Sequence, residues 1–305
     1  MSLFAFPPAF GGVQALREDV FRVRLPMVNV YFLGTPEGKE WVLVDAGLPG
    51  TAGLIERAAQ QVYGDCPPQA IVLTHGHLDH VGALHALLKR WAVPVYNHSL
   101  ELPFLTGQAA YPFPDPSVGG SMSLLSPVFL PGPFDFRPAV QPLSVEGAVP
   151  HLPAWRWLHT PGHASGHISL WRASDRTLIA GDAVVTTRQE WASSAVSMQP
   201  VVLRGPPAYY TPNWDAARRS VETLAGLDPE LIATGHGHPL LDGDVPTELH
   251  RLARQFDQQV RPRRGWYLRH PVSVGVNRAG LDPLACLILG SLTLAALCFN
   301  FIRRR

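Results

Sequence analysis

Three histidines and an aspartate occupy four of the six positions from 75 to 80, at His75, His77, Asp79 and His80. Neutral imidazole nitrogens and carboxylate oxygens are ligands that suit zinc or iron. His75 and His77 are two residues apart, so their side chains point to the same side of an extended backbone. Because a polar turn seldom gathers four ligand-type residues, the pattern predicts a metal site.

A strand, a turn and a helix must position this motif. The apolar run 70–73 predicts a buried strand, and residues 81–88 have the spacing of a helix. Asp79 and His80 stand where the helix begins. The turn can therefore aim this second pair of ligands at a point next to the one that the two earlier histidines face.

The motif resembles the His-x-His-x-Asp-His signature of the metallo-β-lactamase superfamily, which follows a strand. The resemblance extends over roughly residues 20–240, because further pieces of the family pattern occur in order: Asp45-Ala46-Gly47, Thr160-Pro161-Gly162-His163, Gly181-Asp182-Ala183 and Gly235-His236. It implies an α/β fold of the four-layer αββα type. The predicted strands and helices between residues 20 and 96 follow the order of the first half of such a sandwich.

The resemblance also implies a dinuclear metal site. One metal would be held by His75, His77 and His163, the other by Asp79, His80 and His236, with Asp182 bridging the two. Asp45 matches an aspartate that lies beneath the metals, where it would orient a ligand histidine, and His167 would lie close by without binding metal. By residue type alone, Asp45 and Asp182 are also compatible with simple turns.

Such a site implies hydrolysis by a hydroxide that bridges the metals, because metal binding lowers the pKa of water toward ~7. Asp79 and Asp182 would be the catalytic carboxylates, and two Zn²⁺ ions the cofactors, with iron or manganese as alternatives. The runs around His163 and Asp182 resemble the glyoxalase II-like branch, which hydrolyses thioesters. A thioester, a lactone or a related ester is the expected small-molecule substrate.

Two other functions stay open at this point. A mononuclear iron persulfide dioxygenase would need only His75, His77 and His163. A membrane-tethered binding protein without catalysis would need no metal ligands. The complete ligand set favours the hydrolase over both, since a one-metal site gives no reason for the additional ligands.

Composition limits the remaining choices. The chain has 305 residues, 16% of them charged, and a formal net charge of +1, so it lacks the basic excess typical of nucleic-acid binding. Its three cysteines show no pairing pattern, which disfavours a disulfide framework. The first residues lack the features of a signal peptide, so the cytoplasmic side is the expected location. Nothing in the sequence specifies an oligomeric state.

Two segments outside the motifs bear on the domain organisation. The proline-rich region of about 101–150 predicts either a cap over the active site or an ordinary surface excursion, and 185–212 is expected to line the pocket.

Residues 284–302 carry no charge and are followed by three arginines, which predicts a transmembrane anchor or else a long buried helix. The expected division is a catalytic domain at 1–258, a linker at 259–283 and the anchor at 284–302. Arginines before the anchor would keep the domain on the cytoplasmic side of the membrane, the alternative being a cytoplasmic protein without an anchor.

Overall fold

The computed structural model describes residues 9–129, 131–241, 243–275 and 282–288. Its strands are β1 (Val13–Arg17), β2 (Val20–Arg24), β3 (Asn29–Leu33), β4 (Val42–Val44), β5 (Ala70–Val72), β6 (Val95–Asn97), β7 (Val140–Pro142), β8 (Ala148–Val149), β9 (Leu152–His159), β10 (Ile168–Arg172), β11 (Thr177–Gly181) and β12 (Leu231–Thr234). Its helices include α1 (Ala52–Tyr63), α2 (Leu78–Val81), α3 (Leu84–Trp91), α4 (Leu102–Leu105), α5 (Ser121–Leu125), α6 (Ala192–Ser197), α7 (Trp214–Ala225), α8 (Val245–Arg254) and α9 (Phe256–Gln259).

The strands form two sheets. The first runs in chain order from β1 to β7, and the second has the order β12-β11-β10-β9-β8. Neighbouring strands from β4 to β7 are parallel, as are β11 and β12, whereas the other pairs are antiparallel. Parallel neighbours need a crossover connection. Helices α1 and α3 lie in two of these crossovers, and α7 lies in the connection from β11 to β12.

Strand β3 shows why the two sheets stack. Val30 and Phe32 belong to a core shared with helices α1 and α3, while Tyr31 and Leu33 belong to a core shared with the second sheet. Successive side chains of a strand point to opposite faces, so β3 contributes apolar side chains to a core on each side of its sheet. The first sheet is therefore covered by helices on one face and by the second sheet on the other.

The second sheet has the same arrangement. Ile179 and Ala233 face the first sheet, whereas Leu178 and Ile232 pack with residues of helices α7 and α8. Helix, sheet, sheet and helix thus follow one another. The predicted α/β fold with four αββα layers is confirmed.

The motifs predicted to bind metal all lie at one end of this sandwich. The turn at 73–77 follows β5, the loop 160–167 follows β9, and Asp182 and His236 follow β11 and β12. Asp45 directly follows β4, which is the parallel neighbour of β5. Because these strands run in matching directions, their carboxyl ends bring residues far apart in sequence to one edge.

The region 101–150 is irregular, as its prolines predict. Helices α4 and α5 are short, β7 pairs with β6 at the edge of the first sheet, and β8 pairs with β9 in the second. Its function as a cap or as a surface excursion stays a prediction.

The transmembrane helix predicted for 284–302 is wrong for this structure. None of the helices in the described part of the chain has both the length and the apolar character needed to span a bilayer. Leu284, at the start of the predicted anchor, is buried and packs in a cluster with Tyr267 and Val272, so the segment begins against the folded domain. The same finding contradicts the prediction that the protein is anchored on the cytoplasmic side of the membrane. Residues 289–302 of the prediction lie outside the described residues.

The segment 259–275, predicted to belong to a linker, contacts the domain before it. Arg261 forms ion pairs with Asp215 and Asp257, and the side chain of Asn213 donates a hydrogen bond to the Val272 carbonyl. The proposed boundary at residue 258 therefore separates segments that touch, and the domain division itself stays a prediction.

Candidate metal centre

The first ligand group consists of His75, His77 and His163. Their nearest ring nitrogens all lie within 4.8 Å of one another, and the three side chains are buried. His77 Nδ1 and His163 Nε2 are 3.0 Å apart, so ring nitrogens from two different loops point at one spot. Three imidazoles in this arrangement match the ligand set of a catalytic metal site that keeps further positions open.

The second ligand group consists of Asp79, His80 and His236, again with ligand atoms within 4.8 Å of one another. Asp79 Oδ2 lies 3.8 Å from His80 Nε2 and 3.3 Å from His236 Nε2. Asp79 is the most accessible of the three, with 25% of its side chain exposed, whereas the two histidines are buried.

Asp182 lies between the two groups. Its Oδ2 atom is 3.5 Å from His163 Nε2 in the first group, and 3.6 and 3.0 Å from the Nε2 atoms of His80 and His236 in the second. A third set that could hold a metal combines His75, His80 and Asp182, and so draws on both groups. In the part of the chain that the structure describes, these sets contain the seven predicted ligands and no other residue.

Buried polar atoms of this centre fit a metal ion. His75 Nε2, His80 Nε2 and Asp182 Oδ1 have no hydrogen-bond partner among the described residues. A buried polar atom without a partner loses about 1–3 kcal/mol of solvation. A cation provides the partner that imidazole lone pairs and a carboxylate oxygen require, so the donor set fits a divalent metal.

The histidines of the first group are neutral at pH 7. Burial is the main cause that lowers the pKa of His75 and His163 well below the usual value, and it lowers the pKa of His77 to about 4. A neutral imidazole keeps the lone pair that binds a metal.

The second group has the opposite electrostatics. Burial acts to lower the pKa of His236, but the carboxylates of Asp182 and Asp79 outweigh it and raise that pKa to about 10. The same carboxylates and Asp45 raise the pKa of His80 against burial. Burial likewise opposes ionisation of Asp79 and Asp182, yet His80 and His236 hold the pKa of both below its usual range. Both carboxylates are therefore charged at pH 7, which favours a cation between them.

Asp45 contacts the second group from beneath. Its Oδ2 accepts a hydrogen bond of 2.8 Å from His80 Nδ1, and its Oδ1 accepts one of 2.7 Å from the Thr74 amide. An acceptor at Nδ1 directs the lone pair of the imidazole to Nε2, the atom that faces Asp182. The structure thus places Asp45 where it can orient a ligand histidine and the turn that carries His75.

His167 and Met27 contact two other residues of the centre. His167 Nε2 accepts a 2.9 Å hydrogen bond from the Asp182 amide, and its Nδ1 pairs with the Thr160 hydroxyl at 2.9 Å. Met27 offers its carbonyl to His236 Nδ1 at 2.6 Å. His167 is therefore close to the centre but bonded to backbone and hydroxyl groups.

Two glycines allow the ligand loops to approach. A Cβ atom on Gly235 would lie 2.0 Å from Asp182 Oδ1 and 2.8 Å from His80 Cε1. On Gly181, which has a φ of +55°, it would lie 2.6 Å from His167 Nε2. Only glycine leaves room for these contacts.

Comparison with known proteins agrees with this geometry. The family model described as "Metallo-beta-lactamase superfamily" matches residues 23–236, a range that contains all seven predicted ligands. The chain belongs to this superfamily. The resemblance found in the motifs is thereby confirmed.

Individual members of the superfamily resemble much of the chain. The probable metallo-hydrolase YflN of Bacillus subtilis is 45% identical over 242 residues, which are 78% of this chain and 91% of that protein. The probable metallo-hydrolase YybB of the same organism is 29% identical and covers 75% of this chain and 92% of its own length. A β-lactamase domain protein from Burkholderia ambifaria has the same fold, with a TM-score of 0.59 at 20% identity over 83% of this chain and 79% of its own. Family membership and the His/Asp groups together support a metal-dependent hydrolase.

Glu101 is a residue near the centre that no sequence motif indicates. It is fully buried, and its two oxygens accept hydrogen bonds of 3.0 Å from the Gly76 amide and 2.7 Å from the Gly166 amide. Tyr111 donates a further bond to the same carboxylate and packs its ring on His77. Burial raises the pKa of Glu101, while these hydrogen bonds act against burial. Glu101 therefore joins the loop of His77 to the loop that follows His163.

The cleft next to Asp79 is narrow and mostly apolar. Its volume is about 20 Å³, and it is lined by Met27, Asp79, Met122, Phe129, Gln189, Tyr209 and Tyr210. Three of these come from 185–212, the segment expected to line the pocket. Tyr210 also packs its ring on His77, with the ring centres 4.6 Å apart.

Other histidines lie outside the ligand groups. His159 stacks on His98 and contacts the Ser165 carbonyl, while His238 accepts a hydrogen bond from Arg22. Neither His159 nor His238 belongs to a set of described residues that could hold a metal.

Proposed function

We propose that the protein is a dinuclear zinc-dependent hydrolase that acts on a thioester, a lactone or a related ester. The observation that carries the proposal is the position of Asp182, whose Oδ2 lies 3.5 Å from a histidine of the first group and 3.0 Å from one of the second. A carboxylate that bridges two metals must lie between two ligand sets in this way.

The seven proposed ligands would form two neighbouring metal sites. His75, His77 and His163 would hold one Zn²⁺, and Asp79, His80 and His236 the other, with Asp182 shared. Bound there, two cations would lower the pKa of water toward ~7 and stabilise the negative charge that develops on the substrate oxygen.

Asp79 is the ligand best placed for contact with substrate. It lines the cleft and is partly exposed, while the other ligands are buried. A carboxylate at this place can accept the proton of the attacking nucleophile and pass it to the leaving group. Asp182 keeps the two ligand groups in register through contacts with His163, His80 and His236.

The lining of the cleft favours an uncharged acyl group. Met122, Phe129 and the two tyrosines present apolar surface, Gln189 provides an amide, and no lysine or arginine is among the described residues that line the cleft. A volume of about 20 Å³ holds roughly one water molecule, so a substrate must displace some of these side chains. A phosphodiester would find no cationic side chain in this lining.

The iron dioxygenase and the non-catalytic binding protein remain the alternatives. A mononuclear site would use the first ligand group alone, and it would give no physical reason for the charged carboxylates of Asp79 and Asp182 to stand beside His80 and His236. A binding protein without catalysis has no need of a partly exposed carboxylate at the metal centre.

A substrate screen tests the proposal. Zinc-loaded protein is assayed with an acyl thioester, an acyl lactone, a carboxylic ester and a phosphodiester, beside His80→Ala and the control variant His85→Ala, whose exposed side chain lies outside the centre. We expect turnover of at least one acyl substrate, most of which is lost in His80→Ala and preserved in His85→Ala. Turnover of the phosphodiester alone, or the same rate in His80→Ala as in the wild type, would contradict the proposal.

A further inference from the structure

Arg22 in β2 is a fully buried arginine without a carboxylate partner. Its exposed fraction is 0%, and it forms no ion pair with any described residue. Burial lowers the pKa of the guanidinium to about 10, so the group still carries its charge at pH 7. A buried charge without a counter-ion is costly, and an apolar residue of similar size is often at least as stable in such a place.

The five N–H groups of this guanidinium meet five neutral acceptors. They are Asn29 Oδ1 at 2.8 Å, Gln14 Oε1 at 3.1 Å, His238 Nδ1 at 3.1 Å, Met198 Sδ at 3.1 Å and Gly237 O at 3.2 Å. Arginine has five donors in a rigid planar arrangement, so every donor of Arg22 is used. The acceptors come from β1, β3, the end of α6 and the loop after β12, segments that are distant in sequence.

Two of these acceptors belong to the ligand loop, residues 234–238, which carries His236. Arg22 binds the loop at Gly237 and His238, directly after the ligand. Asn29 adds hydrogen bonds of 2.9 Å to the Thr234 carbonyl and 2.8 Å to the Gly237 carbonyl. The backbone on both sides of His236 is therefore held by polar side chains of β2 and β3.

We propose that Arg22 is a positioning residue, which holds the Gly237 carbonyl and thereby keeps His236 directed at the second ligand group. The inference rests on the proposed metal centre. It accounts for a buried charge that stability alone does not require, because five simultaneous hydrogen bonds fix the ligand loop against the first sheet. The first ligand group lies on other loops and does not contact Arg22.

The test replaces Arg22 by lysine and measures zinc binding by competition with a chelating dye. Lysine keeps the charge, but its three N–H groups sit on one atom and cannot reach all five acceptors. Residues that orient metal ligands typically change affinity about 10- to 100-fold. We expect Arg22→Lys to weaken the second equivalent of Zn²⁺ by about 10-fold or more, while the first equivalent binds as in the wild type.

Arg172→Lys is the matched control. Arg172 is also buried, but it pairs with Asp19 and Asp175 and packs on Trp155, away from the ligand loop. This variant should lower the unfolding temperature of the protein without changing the binding of either zinc equivalent.

The outcomes separate this inference from the proposed function. A wild-type protein that binds no metal would overturn the metal centre itself. Wild-type binding of two equivalents together with unchanged binding in Arg22→Lys would overturn only the role of Arg22.

If Arg22→Lys does not fold, Gln14→Leu removes one acceptor of Arg22 at a half-buried position that does not touch the ligand loop. We then expect the second equivalent to bind about threefold more weakly, as for the loss of one hydrogen bond, and wild-type binding would overturn the proposal.

Discussion

The two ligand groups are supported by buried carboxylates of different kinds. Asp45 binds the second group directly, through the ring of His80. Glu101 binds the first group indirectly, through the amides of Gly76 and Gly166 on the loops that carry His77 and His163. Asp45 thus orients a ligand side chain and also holds the Thr74 amide, whereas Glu101 forms hydrogen bonds to backbone amides of the ligand loops and to no ligand side chain.

This difference follows from the charges of the two groups. The first group consists of imidazoles whose pKa values are lowered by burial, so they are already neutral and able to bind a metal. This group therefore depends on the positions of its two loops more than on a nearby negative charge. In the second group, carboxylates surround His80 and His236 and raise the pKa of both. Removing one support should therefore disturb one group more than the other, while removing Asp182 should disturb both.

The largest effect is expected for Asp182→Ala. The substitution removes the carboxylate shared by both groups and leaves the backbone bond from residue 182 to His167 in place, so the fold should survive. We expect kcat/KM for the best acyl substrate to fall by about two to three orders of magnitude, as when a preorganised charged group is lost from an active site. Circular dichroism controls for folding. Near-normal turnover with two metals still bound would show that Asp182 does not bridge them.

The next effect is expected for Asp45→Ala. Without its acceptor, His80 is free to change tautomer and orientation, so the second equivalent of Zn²⁺ should bind about 10- to 100-fold more weakly. The first equivalent should weaken less, because Asp45 reaches its ligand His75 only through Thr74. Dye competition measures both equivalents. Asp19→Ala, which removes an ion pair of Arg172, is the control carboxylate variant and should leave both affinities unchanged. Equal weakening of both equivalents by Asp45→Ala would contradict the distinction between the groups.

Glu101→Gln should weaken metal binding less than Asp45→Ala does, and it should act on the first ligand group. The amide keeps one acceptor oxygen but turns an NH₂ group toward a backbone N–H, which separates the two loops that Glu101 joins. We expect the first equivalent of Zn²⁺ to bind about 10-fold more weakly, at the lower end for residues that support ligands, with the second less affected. A variant in which only the second equivalent weakens would reverse our assignment of Glu101.

Tyr111→Phe should have the smallest effect. It removes the hydroxyl that donates to the Glu101 carboxylate and accepts from the Gly76 amide, and it leaves the ring on His77. Loss of these two buried hydrogen bonds lowers the free energy of unfolding by about 1–2 kcal/mol, since the Gly76 amide keeps Glu101 as an acceptor. Chemical denaturation checks this value, and both zinc equivalents should bind as in the wild type. A loss of the first equivalent as large as that in Glu101→Gln would mean that Tyr111, and not the carboxylate, holds the loop.

Much of this centre was predictable because its chemistry is local in sequence. His75, His77, Asp79 and His80 form one short motif, and the strand before them determines where the motif lies. Single ligands such as Asp182 and His236 follow predictable strands, and the resemblance to a family supplied their place. Strand β3 was likewise predictable from its mostly apolar residues.

The supporting residues were not predictable, because no local pattern marks them. Glu101 is 65 residues from Gly166, and Arg22 is 215 residues from Gly237, so only the packing of the two sheets brings each pair together. The predicted anchor failed for a related reason. Composition gives the apolar character of the segment that begins at Leu284, but the burial of Leu284 itself depends on Tyr267 and Val272, which the fold places beside it.

Metal analysis of the purified protein tests the central claim most directly. Two complete ligand groups that share Asp182 predict about two metal ions per chain, mostly zinc when zinc is supplied, and one per chain in His80→Ala with most of the acyl hydrolysis lost. The measurement is elemental analysis against protein concentration, with persulfide-dependent oxygen uptake recorded in parallel. One iron per chain, in a protein that consumes oxygen with persulfides and does not hydrolyse esters or thioesters, would contradict the account.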